Sequence, residues 1–250
     1  MNKYLFLIFL TLAIFIPFSH ADAGTIVFVG SSGFKNNAAT TSLGYAYTVR
    51  STSTEPWLFT SALDVGGDII TGVSLWSGGT EYPMTQITKQ EAYSAMYMYL
   101  FYLKNPPTGA GTVVVSASGA NQINSHTTEY DGVSGTIDDS ELNNSVSSNA
   151  VAAVATSTQD NSWAVTYVEA SSGTLQSPGT NAVARSAGDG GSNIYDTNAP
   201  ITPAGGVTMT ITKSNTSGVM RGITAIFSPE DLAPPAVVGG RHRIFRWFNF

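Results

Sequence analysis

One segment, Tyr93 to Leu103, constrains the fold more than any other part of the sequence. In an extended strand successive side chains point to opposite faces, and here both faces are largely apolar. One face carries Tyr93, Ala95, Tyr97, Tyr99, Phe101 and Leu103, and the other carries Met96, Met98, Leu100 and Tyr102. Two apolar faces require cover on both sides, so we expect a central strand inside a layered β-structure.

The residues after this strand predict a hairpin. Asn105-Pro106-Pro107-Thr108-Gly109-Ala110-Gly111 is rich in turn-forming residues and leads into the apolar run Thr112–Ser116. We therefore expect Tyr93–Leu103 and Thr112–Ser116 to pair as a core hairpin of a sandwich.

Similar runs of Val, Ile, Thr, Tyr and Phe, broken by Gly, Asn, Pro and Ser, recur from Gly24 to Phe227 without a sustained helical period. Many short strands without helical crossovers imply antiparallel pairing. The expected fold class is all-β, a two-sheet antiparallel β-sandwich, jelly-roll-like, in a single domain over residues 24–229. The polar stretches Thr136–Ala150 and Ser171–Pro203 are expected to be surface loops. The predicted strands are Thr25–Val29, Leu43–Arg50, Trp57–Asp64, Ile69–Trp76, Pro83–Ile87, Tyr93–Leu103, Gly111–Ala117, Ile123–Asp131, Val151–Thr156, Ser162–Ala170, Gly206–Thr212 and Val219–Phe227.

The N-terminus has the layout of a secretory signal peptide over residues 1–23. Lys3 precedes an apolar run from Tyr4 to Phe18, which is shorter than the roughly 20 residues of a membrane-spanning helix. Cleavage after Ala21 and cleavage after Ala23 both fit, and an uncleaved anchor is the alternative. The chain has no cysteine, so a secreted domain of this kind must be stabilised by burial rather than by disulfides.

Charge limits the partners that the domain is expected to bind. Charged residues make up 11% of the chain, and the net charge is −6. Arg241, Arg243 and Arg246 lie in the last ten residues, and removing their charges leaves −9 for the rest. Nucleic acid is therefore not an expected partner of the domain. Residues 230–240 are expected to be a linker, and the basic, aromatic tail 241–250 suits a membrane surface or a partner protein, a disordered tail being the alternative.

The chain resembles a widespread group of secreted and phage-encoded β-sandwich modules without an assigned biochemical role. The resemblance covers about Leu43 to Pro229 and is carried by structural motifs. It implies display or adhesion and transfers no catalytic residue. The matching motifs are Ile70–Val73, Tyr99–Gly109, Val113–Ser116, Tyr130–Val133 and Thr224–Phe227.

Few residues suggest catalysis or metal binding. His126 is the one histidine of the domain and is expected on a strand surface, without a nucleophile motif around it. No cofactor is expected, and zinc chemistry lacks ligands. Calcium has candidate ligands in one loop region, with a second group in another, although solvated acidic turns are the alternative. The first group is Asp131, Asp138, Asp139 and Glu141, and the second is Asp189, Asn193 and Asp196.

Aromatic side chains are the candidate ligand-binding residues, because exposed rings on β-sandwiches stack against sugars. Trp76, Tyr82 and Tyr195 lie in or beside turns and are expected to be exposed, whereas Trp57 and Trp163 begin apolar strands and are expected in the core. The predicted function is a non-catalytic extracellular binding or adhesion module for glycans or another surface polymer. The alternatives are a self-assembling structural or surface-coat protein and an extracellular polymer hydrolase using Glu81, Glu91, Glu129 and Glu169.

Overall fold

The computed structural model describes residues 25–51, 55–93, 95–146, 150–171, 176–186, 191–214 and 218–229, and all secondary structure within them is β. The predicted signal peptide, linker and tail lie outside these residues. The strands are β1 (Val27–Ser31), β2 (Lys35–Val49), β3 (Trp57–Asp64), β4 (Ile70–Ser77), β5 (Thr80–Pro83), β6 (Thr85–Tyr93), β7 (Met96–Lys104), β8 (Gly109–Asp131), β9 (Val133–Val146), β10 (Ala150–Thr156), β11 (Trp163–Ala170), β12 (Gln176–Pro178), β13 (Val183–Ala184), β14 (Ser192–Asp196), β15 (Gly206–Lys213) and β16 (Val219–Pro229).

These strands form three antiparallel sheets. The large sheet has the strand order β5-β4-β8-β3-β7-β6. β4 and β3 pair with one edge of the long strand β8, and β1 and β2 pair with its opposite edge. The middle sheet runs β13-β14-β11-β16-β9, and the small sheet runs β10-β15-β12. The predicted all-β, antiparallel β-sandwich class is confirmed, and the small sheet adds a layer to the two that were expected.

The large sheet folds over on itself along the long strand β8. The first half of β8 pairs with β4 and with Ser42–Val49 of β2, and its second half pairs with β3, with β1 and with the first residues of β2. A buried cluster fills the fold: Tyr45 and Val113 on one side pack with Leu58 and Phe101 of β3 and β7 on the other. The opposite faces of β3 and β7 pack on the middle sheet.

Two further clusters join the remaining layers. Phe59 and Tyr130 of the large sheet contact Phe227 of the middle sheet, with ring centroids 4.8 and 5.0 Å from that of Phe227. The outer face of the middle sheet buries Val168 and Tyr195 against Val151 and Met209 of the small sheet. Both β3 and β11 are consequently buried along their whole length, and Trp57 and Trp163 are core residues as predicted.

The predicted hairpin of Tyr93–Leu103 with Thr112–Ser116 is wrong. β7 pairs with β3 and β6, whereas this part of β8 pairs with β2 and β4. The turn after Lys104 carries the chain from one layer of the folded sheet to the other, so it connects strands that face each other instead of strands that share hydrogen bonds. The central position predicted for Tyr93–Leu103 is confirmed, because β7 lies between two apolar clusters.

Both predicted long loops contain strands. Thr136–Ala150 is mostly β9, whose polar residues are tolerated because it is an edge strand of the middle sheet and, among the described strands, pairs with β16 alone. Ser171–Pro203 contains β12, β13 and β14, and all five residues of β14 are buried between neighbouring layers. The described residues contain no helix long and apolar enough to cross a bilayer.

Candidate functional site

One exposed sheet face is built from small, mostly uncharged side chains, and we call it the outer platform. It is the surface of the large sheet that points away from all buried clusters, and cross-strand registers place its residues on one face. Glu81 is its single charged residue. The platform spans roughly 14 Å across four strands and about 20 Å along β8 at ordinary strand spacings. Its residues are Ser42, Gly44, Ala46 and Thr48 of β2, Ala110, Thr112, Val114 and Ser116 of β8, Gly72, Ser74 and Trp76 of β4, and Glu81 and Pro83 of β5.

Trp76 is the large aromatic side chain of the platform and is 42% exposed. It lies near the end of β4, in register with Glu81 of β5 on one side and Thr112 of β8 on the other. Hydrogen-bonded strands on both sides fix its backbone, so the indole projects from a rigid base. A ring on a fixed backbone can stack on a ligand without ordering of the main chain.

A tight turn holds the β4–β5 hairpin in place. Gly78 and Gly79 have φ values of 57° and 81°, and positive φ at both central residues is the requirement of a type I′ hairpin turn. The Ser77 hydroxyl also donates a 3.3 Å hydrogen bond to the Ala110 carbonyl of β8. The turn fixes the register that sets Trp76 opposite Glu81.

Close approach of β8 to β4 depends on Gly111. A Cβ atom at this position would lie 2.8 Å from the Trp76 carbonyl oxygen and 2.9 Å from Leu75 Cδ1. Both distances are shorter than normal carbon contacts, so a side chain here would push β4 away from β8. Glycine at position 111 therefore helps to seat Trp76.

A shallow depression of about 330 Å³ lies on the platform between β4, β5 and β8, and Trp76 is not part of its lining. Gly72, Ser74, Glu81, Pro83 and Ser116 line it. The volume is near the lower limit of small-molecule sites, roughly 300 Å³. The carboxylate and the hydroxyls provide hydrogen-bond acceptors and donors in this depression.

Of the three predicted aromatic residues, only Trp76 lies on this exposed face. Tyr82 is in register with Leu75 and packs, half-buried, on the opposite side of the hairpin. Tyr195 is 1% exposed, and its hydroxyl donates a 3.1 Å hydrogen bond to Gln176 Oε1. The predicted exposure of Tyr195 is wrong because its segment is a buried strand, β14, and not a loop.

The candidate calcium ligands lie along strands and not in a loop. Asp131 is at the end of β8, and the other three lie in β9. Asp139 accepts a 2.8 Å hydrogen bond from the Thr156 backbone N–H, and Asp138 accepts one of 2.6 Å from Thr158 N–H. Glu141 is exposed and in register with Thr224.

The second candidate group is also dispersed. Asp196 is buried and paired with Arg185 at 2.6 Å, Asn193 is buried, and Asp189 lies outside the described residues. Within the described ranges, no group of three or more His, Asp or Glu side chains is placed to hold a metal ion. Calcium binding by either group stays a prediction.

His126 is fully buried, so its predicted surface position is wrong. Its ring packs between Phe34 and Tyr167, with centroid distances of 5.2 and 6.0 Å, and neither ring nitrogen makes a hydrogen bond of normal geometry. Burial lowers the pKa of His126 to about 3, against a smaller opposing effect of the Ser192 backbone. The imidazole is neutral at physiological pH. Sequence reasoning missed its burial because its neighbours Ser125, Thr127 and Thr128 are polar yet buried too.

The four glutamates considered for hydrolysis lie on four different strands, β5, β6, β8 and β11. Glu81 and Glu91 are exposed. Glu129 is buried and accepts hydrogen bonds from Arg50 N–H (2.9 Å), Ser51 N–H (2.7 Å) and the Tyr47 hydroxyl (3.1 Å). Glu169 is buried near Tyr167, whose hydroxyl is 3.4 Å from its carboxylate.

A second cavity, of about 450 Å³, lies where the chain enters β15. Its lining combines apolar groups, among them Pro200 and Ile201, with the polar side chains of Asn181, Thr197 and Thr202. It contains no aromatic and no charged side chain, so it lacks the stacking surface that the outer platform has.

No protein-family model matches the sequence, and no curated protein matches it. Solved structures with some similarity include that of Cucumber Necrosis Virus, at 11% identity over 83% of this chain and 94% of that chain, with a TM-score of 0.22. An anti-sigma factor domain-containing protein from Clostridium clariflavum is 12% identical over 84% of this chain and 91% of that one, with a TM-score of 0.20. Similarity at these scores supports no inference about function, and the resemblance to secreted β-sandwich modules stays a prediction.

Proposed function

We propose that the domain is a non-catalytic extracellular binding module that holds a neutral glycan on the outer platform. The observation that carries the proposal is the exposed indole of Trp76, on a strand that pairs on both sides, within a face of small residues. Tryptophan offers a wide apolar surface to the C–H face of a sugar ring. Export of the chain is inferred from the N-terminal sequence alone.

The surroundings of Trp76 favour an uncharged polymer over a charged ligand. Ser116 provides a hydroxyl that donates and accepts hydrogen bonds, and Glu81 accepts them from sugar hydroxyls, whereas Ser74 also lines the depression but is only 6% exposed. No cationic side chain lies among the platform residues to bind an acidic polymer. The length of the platform, roughly 20 Å, allows contact with several sugar units.

The test is retention on an array of neutral polysaccharides, followed by titration calorimetry with the best oligosaccharide. Trp76→Ala should weaken binding at least about tenfold, as expected for the loss of a central aromatic contact. Leu142→Ala is the matched control, because Leu142 is 48% exposed but lies on β9 of the middle sheet. It should bind like the wild type.

Two outcomes would contradict the proposal. One is a folded wild-type protein, verified by circular dichroism, that is retained by no neutral polysaccharide. The other is binding that Trp76→Ala and Leu142→Ala leave equally unchanged, which would place the site elsewhere.

A further inference from the structure

The free edge of strand β2 is the least protected sheet edge among the described residues. β2 pairs with β8 along one side, and no described strand pairs with its other side. An unpaired edge presents backbone N–H and C=O groups that can accept a further strand. Natural edge strands are usually protected against such pairing by charges, prolines, short length or a covering element.

The other edges of the described sheets carry these protections. β5 contains Pro83, β12 contains Pro178, β13 has two residues, and β6 carries Lys89 and Glu91. β9 carries three acidic residues, Asp138, Asp139 and Glu141. β1 is short, with five residues.

β10 is protected by a covering element instead. Its edge is covered by side chains of β9, because Asn143 Oδ1 accepts a 3.0 Å hydrogen bond from Val154 N–H and Asp139 Oδ2 one of 2.8 Å from Thr156 N–H.

β2 lacks all of these protections. From Asn36 to Val49 it contains no charged residue and no proline. Its first half is irregular, with register shifts around Thr40 and a φ of 53° at Ala39, whereas Ser42–Val49 runs in unbroken register with β8. The regular, uncharged segment available for pairing is therefore Ser42–Val49.

We propose that Leu43–Val49 pairs antiparallel with the same residues of a second copy of this chain, with Ala46 opposite Ala46, making a two-fold symmetric dimer. The segment is complementary to itself. Directly opposed residues in an antiparallel pair lie on the same face, so the two rows of small platform residues meet each other. The inner-facing residues Leu43, Tyr45, Tyr47 and Val49 of the two copies meet in the same way. The apolar layer of one copy therefore continues into that of the other.

A second copy fits this edge better than an unrelated peptide does. An added strand must place large apolar residues on the inner face and small residues on the platform face, and β2 itself has this alternation. The two-fold axis runs perpendicular to the sheet, so the outer platforms of both copies face the same side. Dimerisation uses the strand edge and does not require that the platforms bind any ligand.

The test is sedimentation of the mature chain, residues 24–250, from about 1 μM to about 1 mM. Wild type should be dimeric in the upper part of this range. Ala46→Lys should raise the dissociation constant at least tenfold, because Ala46 is an exposed edge residue and the pairing brings like charges together.

Thr112→Lys is the matched control. Thr112 is the cross-strand neighbour of Ala46 on the same face, one strand further from the edge. Two lysines at Thr112 would be roughly 14 Å apart across the dimer, beyond the Debye length of about 8 Å at physiological salt, so this variant should dimerise like the wild type. Ala46→Glu, which places like charges at the same edge position, repeats the test should Ala46→Lys fail to fold.

Amide hydrogen exchange on the wild type tests the proposed dimer without any substitution. Amides of Ser42–Val49 should become more protected as the protein concentration rises. A monomer at all concentrations would overturn the proposal, and so would a dimer that Ala46→Lys and Thr112→Lys weaken equally, since that result indicates face-to-face contact.

Discussion

Replacing His126 with leucine should remove much of the acid sensitivity of the domain. His126 is buried between the large and middle sheets against Phe34 and Tyr167, and burial lowers its pKa to about 3. In the unfolded chain its pKa returns to about 6.5. Between these two values the unfolded state binds a proton that the folded state does not, so the free energy of unfolding must fall as the pH falls.

The magnitude follows from the two pKa values. At pH 5 the histidine should reduce the free energy of unfolding by about 2 kcal/mol relative to pH 7.5, and at pH 4 by about 3 kcal/mol. The buried carboxyls of Asp64 and Asp196 have pKa values raised by burial, so their effect has the opposite sign and stabilises the fold as they become protonated. Both carboxyls remain in the variant, and their effects cancel in the difference between the two proteins.

Urea unfolding followed by tryptophan fluorescence at pH 7.5, 6, 5 and 4 measures this difference. His126→Leu should gain stability over the wild type progressively from pH 6 to pH 4. At pH 7.5 the variant should be of similar stability, because leucine removes two buried nitrogens that make no hydrogen bond of normal geometry. A difference between the two proteins that is constant from pH 7.5 to 4 would refute the burial of a neutral imidazole.

Urea unfolding also tests the hydrogen-bond and charge partners of two buried carboxylates. Glu129→Leu should lower the free energy of unfolding by about 2 to 4 kcal/mol, because Arg50 N–H, Ser51 N–H and the Tyr47 hydroxyl lose their acceptor; Tyr47→Phe, which removes one donor, should cost about 1 kcal/mol, and equal effects would contradict the network. Arg185→Ala should cost about 3 to 5 kcal/mol by leaving the buried Asp196 carboxylate without its cation. Adding Asp196→Asn should restore part of this loss, and strictly additive effects would show that the two residues are not coupled.

The core strands could be predicted because their patterns are local. β3 matches the predicted Trp57–Asp64 at both ends, and the apolar faces of β7 correctly indicated cover on both sides. The pairing of β7 was predicted wrongly, because a turn rich in Pro and Gly specifies a reversal of direction and not which strands become neighbours. β9 was missed because its polar side chains are explained by contacts far along the chain, such as Asn143 with Thr224.

The candidate site was predicted in part for similar reasons. Trp76 follows a strand pattern and precedes Gly78-Gly79, which correctly suggested a hairpin end and exposure. The position of Tyr82 could be predicted only with the cross-strand register, which places it opposite Leu75 on the inner face. Alternation of small and large residues in Ser42–Val49 was the local signal for the outer platform. The sequence does not show that the small residues of β2, β8 and β4 lie on the same face of the large sheet. The pairing of β2 with β8 and of β4 with β8 shows it.

Residue-resolved NMR of the labelled domain during titration with a neutral oligosaccharide tests the binding proposal most directly. Amide shifts should concentrate on the outer platform, above all at Ser74, Trp76, Glu81 and Thr112, and the indole N–H of Trp76 should shift with them. Shifts confined to the cavity near Pro200 and Ile201, or no shifts with any oligosaccharide that the array retains, would contradict the account.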